Sequence, residues 1–311
     1  MAAEIAKETL FLHTAEIGLG AWAWGDRTFW NYGRGYGAED IEKAFRASLA
    51  AGVNLVDTAE VYGSGRSESF LGQFLKTTET PVLVATKFMP FPWRLSRQAL
   101  KHALRRSLDR LGLERVDLYQ IHWPFPPVPI EVWAEELAHV VQEGKARTVG
   151  VSNYNKTQMQ RAYTVLAQHN IPLASNQVEY HLLNRQIEKN GLLERCKELG
   201  VRVIAYSPLA KGLLTGKYTP ENPPPAMRGN TKREYLQELQ RLIGLMTEIG
   251  QKHGGKTPAQ VALNWVICKG ALPIPGAKNE AQAIENAGAK GWRLTAEEIQ
   301  ALDDASEKFT R

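Results

Sequence analysis

Val82-Leu83-Val84-Ala85-Thr86 is a short apolar run of strand character, and Lys87 follows it directly. After a loop comes the stretch 96–111, where Leu100, Leu104, Leu108 and Leu111 return at helical spacing. Residues 116–122 then read as a strand again. A strand, an amphipathic helix and another strand in succession make a parallel unit with its helix packed against the sheet.

The pattern continues in both directions. Further strand candidates are 17–19, 53–57, 146–152, 174–178, 201–206 and 272–275, which brings the number to eight. Helical stretches at 38–51, 67–76, 129–143, 156–168, 187–199, 258–269 and 281–289 alternate with them. Thr257-Pro258 places a capping residue before a proline at the first helical position. Gly52, Gly144 and Gly200 stand at helix ends, where a left-handed residue is favoured.

Eight alternations with near-continuous apolar strands predict an α/β protein, a closed (β/α)8 TIM barrel forming a single domain over residues 1–311. The competitor is an open doubly wound sheet, which needs a glycine fingerprint opening its first helix. Gly18-Leu19-Gly20-Ala21-Trp22-Ala23 matches G-x-G-x-x-A, yet residues 24–30 do not read as a helix. Residues 212–217 fall one residue short of a phosphate loop. Residues 9–13 are expected to form a short N-terminal β-hairpin plugging the barrel floor. Residues 208–231, with Pro223-Pro224-Pro225, form a long loop after strand seven, and loops of such length are commonly functional.

Composition narrows the partners. The 38 basic and 33 acidic residues leave a net charge of +5, interleaved along helical faces rather than gathered in a block. A nucleic-acid partner is not expected, although a modest positive field favours an anionic small molecule. No apolar run approaches the ~20 residues of a membrane span. Residues 1–8 show no basic region followed by an apolar one, so no signal peptide is expected. Cys196 and Cys268 stand far apart and read as reduced thiols, as in a cytoplasmic protein. The remaining histidines lack metal-ligand spacing, and no metal is required.

In such a barrel the active site lies at the C-terminal strand ends. Asp57, Lys87 and His122 end three successive strands, and Tyr62 lies in the loop just past Asp57. Further strand ends carry Ser152-Asn153, Gln177 and Glu179, Tyr206-Ser207 and Pro275-Gly276. The chemistry of the first four is coherent. A tyrosine hydroxyl is protonated at neutral pH, and Lys87 should lower its pKa by stabilising the phenolate. Asp57 would keep Lys87 charged. His122 would orient a carbonyl oxygen. That is general acid catalysis on a carbonyl, and the electron pair must come from a cofactor as hydride. Trp22, Trp24, Trp30, Phe91, Trp93, Trp123 and Phe125 fall in loops after strands, which favours a pocket wall.

Seven segments in order carry a resemblance: 54–63, 85–87, 117–123, Gly150-Val151-Ser152-Asn153-Tyr154, 176–180, Ala205-Tyr206-Ser207-Pro208-Leu209 and 274–278. Together they resemble the aldo-keto reductase family. Gly276-Ala277-Lys278 is similar to the bacterial-type and channel-β-subunit-like branch, rather than to the steroid and aldose reductase branch. The resemblance implies a barrel that binds NADP(H) without a Rossmann fold and reduces a small-molecule carbonyl. It makes Tyr62 the proton donor, with Asp57, Lys87 and His122 completing a catalytic tetrad. It places Ser152, Asn153 and Gln177 at the nicotinamide carboxamide, Tyr206 against the ring, and Gly20, Ala21 and Trp22 beside it, with Asp57 also near the cofactor. Ser207, Pro208, Leu209, Ala210, Gly212 and Lys217 would follow the pyrophosphate. Arg228, Gly276, Ala277, Lys278, Gln282, Glu285 and Asn286 would take the adenosine end, with Lys278 and Arg228 on the 2′-phosphate. Trp24, Trp93 and Trp123 would join Tyr62 and His122 around the substrate.

Two other functions fit the residues less well. Lys87 as a Schiff-base nucleophile conflicts with an adjacent Asp57, which would keep it protonated. A regulatory subunit that holds NADPH with little turnover would not need His122.

Overall fold

A computed structural model of the chain describes residues 9–309. The N-terminal stretch 1–8, read above for a leader, lies outside them.

Eight parallel strands follow one another in sequence order: β1 (Leu19–Gly20), β2 (Leu55–Asp57), β3 (Leu83–Phe88), β4 (Val116–Ile121), β5 (Ala146–Ser152), β6 (Leu173–Glu179), β7 (Arg202–Tyr206) and β8 (Leu272–Pro273). Gly20 pairs in parallel with Gly276, and the Gly18 and Gly20 amides donate to the carbonyls of Pro273 and Pro275 at 2.9 and 3.0 Å. These bonds join the last strand to the first. They also explain the glycines that imitate a dinucleotide fingerprint. A Cβ on Gly20 would stand 2.7 Å from the Ile274 carbonyl oxygen, so the closure needs glycine there.

Alternation along each strand positions the site. Leu55, Ala85, Leu118 and Ile204 belong to a small buried cluster with Leu12, Ala174, Leu272 and Ile274. Two residues further on, the same face of each strand presents Asp57, Lys87, Gln120 and Tyr206. The opposite strand faces and the surrounding helices form the larger apolar cluster. The barrel thus has an apolar floor beneath a polar top.

Residues 9–14 are helical rather than a hairpin. The Ala15 amide donates to the Phe11 carbonyl at helical spacing, and Leu12 fills the floor. The stretch 187–199 is not one helix: Gln186–Lys189 and Leu192–Glu198 are separated at Gly191, where φ is +73°. Two helices, Arg233–Lys252 and Ala296–Ser306, were not among the expected ones. The loop after β7 contains 3₁₀ turns at Ala210–Thr215 and Ala226–Arg228. Both cysteines are free thiols, and burial pushes Cys196 up to about 12. Among the described residues no helix is long and apolar enough to cross a membrane.

Candidate active site

A cleft of about 730 Å³ opens at the C-terminal ends of the strands. Under it, Lys87 Nζ donates to Asp57 Oδ1 at 2.5 Å and to the Thr58 carbonyl at 2.8 Å, and it lies 3.4 Å from the Tyr62 hydroxyl. Asp57 Oδ2 accepts from Gln177 Nε2 at 2.8 Å and from Gln120 Nε2 at 3.3 Å. The Tyr62 and His122 rings meet edge to face, 5.7 Å between centres. The three strand-end residues and Tyr62 therefore converge.

Local backbone aims Tyr62. The turn behind it runs through Gly63, Ser64 and Gly65 with φ of +56°, +59° and +89°. A Cβ on Gly63 would stand 2.8 Å from the Gly25 backbone, so the turn packs directly on the loop after β1.

Burial alters the electrostatics expected from sequence. It raises the Tyr62 pKa, and the opposing effect of Lys87 does not cancel that rise. Tyr62 thus keeps its proton more firmly than a free tyrosine, instead of less firmly. Burial also pulls Lys87 down, but Asp57 and Tyr62 outweigh it and leave Lys87 above its ordinary value. His122 is pushed down to about 3, by burial first and then by Lys87. It is a neutral imidazole whose buried Nδ1 has no hydrogen-bond partner among the described residues. The arrangement offers a protonated hydroxyl, a permanent cation behind it and a neutral ring beside it. It can donate one proton and polarise one oxygen.

The cleft continues past β5, β6 and β7. Asn153, at φ +62°, donates to the His122 carbonyl and accepts from the Tyr206 hydroxyl at 3.0 Å. Ser152 donates to the Gln177 carbonyl at 2.9 Å. After Tyr206 the chain takes left-handed φ at Ser207, Ala210, Lys211 and Gly212, the kind of local strain that collects at ligand sites. At the far end stand Lys217, Arg228 and Lys278, and none of them forms an ion pair among the described residues. Lys278 is lowered to about 8, by burial and then by Arg228 and Lys217. The helix Glu280–Ala287 starts beside it, capped by Asn279, so its amide dipoles also favour an anion.

Most residues expected at the site line this cleft: Gly20, Trp22, Trp123, Ser207, Pro208, Leu209, Gly212, Gly276, Gln282, Glu285 and Asn286 do so along with Asp57, Tyr62, His122, Ser152, Asn153, Gln177, Tyr206 and the three cations, while Lys87 is buried beneath it. Ala21, Ala210 and Ala277 are buried behind its wall. Two substrate residues need correction. Trp24 is wholly buried against Phe45 and Phe74, and its indole donates to the Ala277 carbonyl at 3.1 Å. Trp93 stacks on Phe91 outside the cleft and is 72% exposed. Glu179, a strand end that was given no role, also lines the cleft, and Gln120 and Lys211 were missed. Gln120 continues the inward alternation of β4, which was the signal for it.

The family model described as Aldo/keto reductase family matches residues 16–307. The chain belongs to the aldo-keto reductase family. Among its curated relatives in that family is a chloroplastic pyridoxal reductase of Arabidopsis thaliana, 39% identical over 96% of this chain and 84% of that protein. Two solved structures are similar. A glycerol dehydrogenase from Gluconobacter oxydans has a TM-score of 0.82 at 30% identity, covering 94% of this chain and 92% of that one. An aldo/keto reductase from Klebsiella pneumoniae, in complex with NADP and acetate, has a TM-score of 0.74 at 31% identity, covering 93% and 90%. The barrel architecture and the membership among oxidoreductases follow from these likenesses together.

Proposed function

We propose that this aldo-keto reductase, a single barrel domain, reduces aldehydes or ketones to alcohols with NADPH, and that Tyr62 delivers the proton. One observation carries the reading: the Asp57–Lys87–Tyr62–His122 cluster sits at one end of a cleft whose other end holds three cations that form no ion pair among the described residues. That volume and charge suit a phosphorylated dinucleotide. Lys278, Arg228 and Lys217 would hold its phosphates, and Asn153, Ser152 and Gln177 would meet its nicotinamide amide, with Tyr206 against the ring. NADPH, when bound, supplies the electron pair that no side chain here can provide.

The chain's own residues do the rest. His122 is neutral, so it orients the carbonyl oxygen without competing as an acid. Tyr62 gives its hydroxyl proton to that oxygen as negative charge develops there. Lys87 stabilises the phenolate left behind, and Asp57, fixed by Gln120 and Gln177, holds Lys87 in place. A Lys87 nucleophile is disfavoured, because an ammonium bonded to Asp57 has no free lone pair.

The test is loss of NADPH absorbance with a panel of aldehydes and ketones that includes pyridoxal. Tyr62→Phe should lower kcat by ~10²–10⁴ and leave the Kd for NADPH nearly unchanged. A variant that keeps most of the wild-type kcat removes Tyr62 from the role.

A further inference from the structure

Trp30 joins the three loops that meet at the cationic end of the cleft. Asp26 Oδ1 accepts from the Phe29 and Trp30 amides at 2.7 and 3.0 Å and fixes the turn that presents the indole. The Arg228 guanidinium carbon, from the loop after β7, lies 5.0 Å from the Trp30 ring centre. Lys278 Nζ, from the loop after β8, lies 4.7 Å from it and donates to the Trp30 carbonyl at 3.1 Å. The same ammonium is 4.6 Å from the Tyr36 ring, whose hydroxyl is tied to the Ala23 carbonyl at 2.7 Å.

An aromatic face attracts cations through its quadrupole but carries no net charge. A carboxylate in its place would neutralise Arg228 and Lys278 and repel a phosphate. The rings hold both cations in position with their charge intact. Burial first, then Arg228 and Lys217, lower the Lys278 pKa, and the opposing charge of Asp26 does not cancel that.

We propose that Trp30, assisted by Tyr36, is the positioning residue that seats Arg228 and Lys278, and that it thereby sets the preference for an adenosine ribose carrying a phosphate. This rests on the cofactor reading given above.

The experiment measures the Kd of NADPH, NADH and adenosine 2′,5′-bisphosphate by calorimetry, on wild type, Trp30→Leu, Trp30→Phe, Tyr36→Leu and Lys278→Ala. Trp30→Leu should weaken NADPH and the bisphosphate by about threefold to tenfold, the size of one or two cation–π contacts, and spare NADH. Trp30→Phe keeps a ring and should keep most of the preference. Of the two cations, Lys278 is the one with a ring contact to Tyr36 among the described residues, so Tyr36→Leu should have a smaller effect in the same direction. It also serves if Trp30→Leu does not fold. In an Arg228→Ala/Lys278→Ala background, Trp30→Leu should not change the NADPH-to-NADH ratio further. If Trp30→Leu weakens both cofactors equally while Lys278→Ala weakens only NADPH, the seat is overturned and the cofactor reading stands. If wild type binds NADPH and NADH alike, both fall.

Discussion

Lys87 Nζ and Asp57 Oδ1 are 2.5 Å apart, and neither side chain is more than 4% exposed. A buried pair is strongly sensitive to losing one member, because the survivor is left uncompensated. Asp57→Asn strands the Lys87 ammonium and should destabilise the fold by about 3–5 kcal/mol, read as a shift in urea unfolding. Adding Lys87→Met to that variant should recover part of the loss. A double variant no more stable than Asp57→Asn would show that the two groups are not coupled.

His122 gives the stability a pH dependence. Above its ordinary value of 6.5 the ring is neutral both folded and unfolded. Below that, the unfolded chain takes a proton that the fold refuses until about pH 3. Stability should therefore fall as pH drops through this window, at a slope of up to about 1.4 kcal/mol per unit from this group. Other groups titrate in the same range, so the comparison is with His122→Asn, which should show a shallower decline in urea midpoint between pH 6.5 and 4. Parallel curves for the two proteins would mean that His122 can be protonated in the fold.

Period-two alternation made part of the site legible without coordinates. Asp57 ends one apolar strand and Lys87 stands one residue before the end of another, and their inward facing follows from Leu55 and Ala85 two residues earlier. Gln120 obeys the same rule after Leu118, yet a neutral amide inside an apolar strand attracts no notice until Asp57 is seen to accept from it. Loops are less readable. Nothing local distinguishes Trp22, which lines the cleft, from Trp24, which turns into the core against Phe45 and Phe74. The direction of the Tyr62 shift depends on how much solvent the folded chain removes, and neighbouring residue types do not report that. The helix at residues 9–14 depends on contacts of Leu12 with the barrel floor, which are tertiary.

Lys278 should make cofactor affinity depend on pH. It titrates near 8 in the unliganded chain, and a 2′-phosphate is already dianionic above its second pKa of ~6. Binding favours the ammonium form, so the Kd for NADPH should rise between pH 7 and 9 while that for NADH stays flatter. Lys278→Ala removes a charge-assisted contact of ~1.5–3 kcal/mol, which weakens NADPH about tenfold to a hundredfold and should flatten the profile. Equal weakening of both cofactors would take Lys278 out of the phosphate site.

Glu60 and Arg94 tie the loop that carries Tyr62 to the loop after β3. The guanidinium meets Glu60 at 2.5 and 3.1 Å through both oxygens and donates to the Met89 carbonyl at 2.8 Å. Glu60 accepts from the Met89 amide at 2.8 Å, and Arg94 lies over the Phe88 and Phe91 rings. A lysine cannot reproduce this fork. Arg94→Lys should let the segment from Glu60 to Tyr62 shift, and a displacement of ~1 Å at a reacting group costs up to about a hundredfold in rate. The expected result is a lower kcat for aldehyde reduction with the Kd for NADPH unchanged, since Arg94 lies away from the phosphate end. Unchanged kcat alongside a lowered melting temperature would leave the pair a stabilising role only.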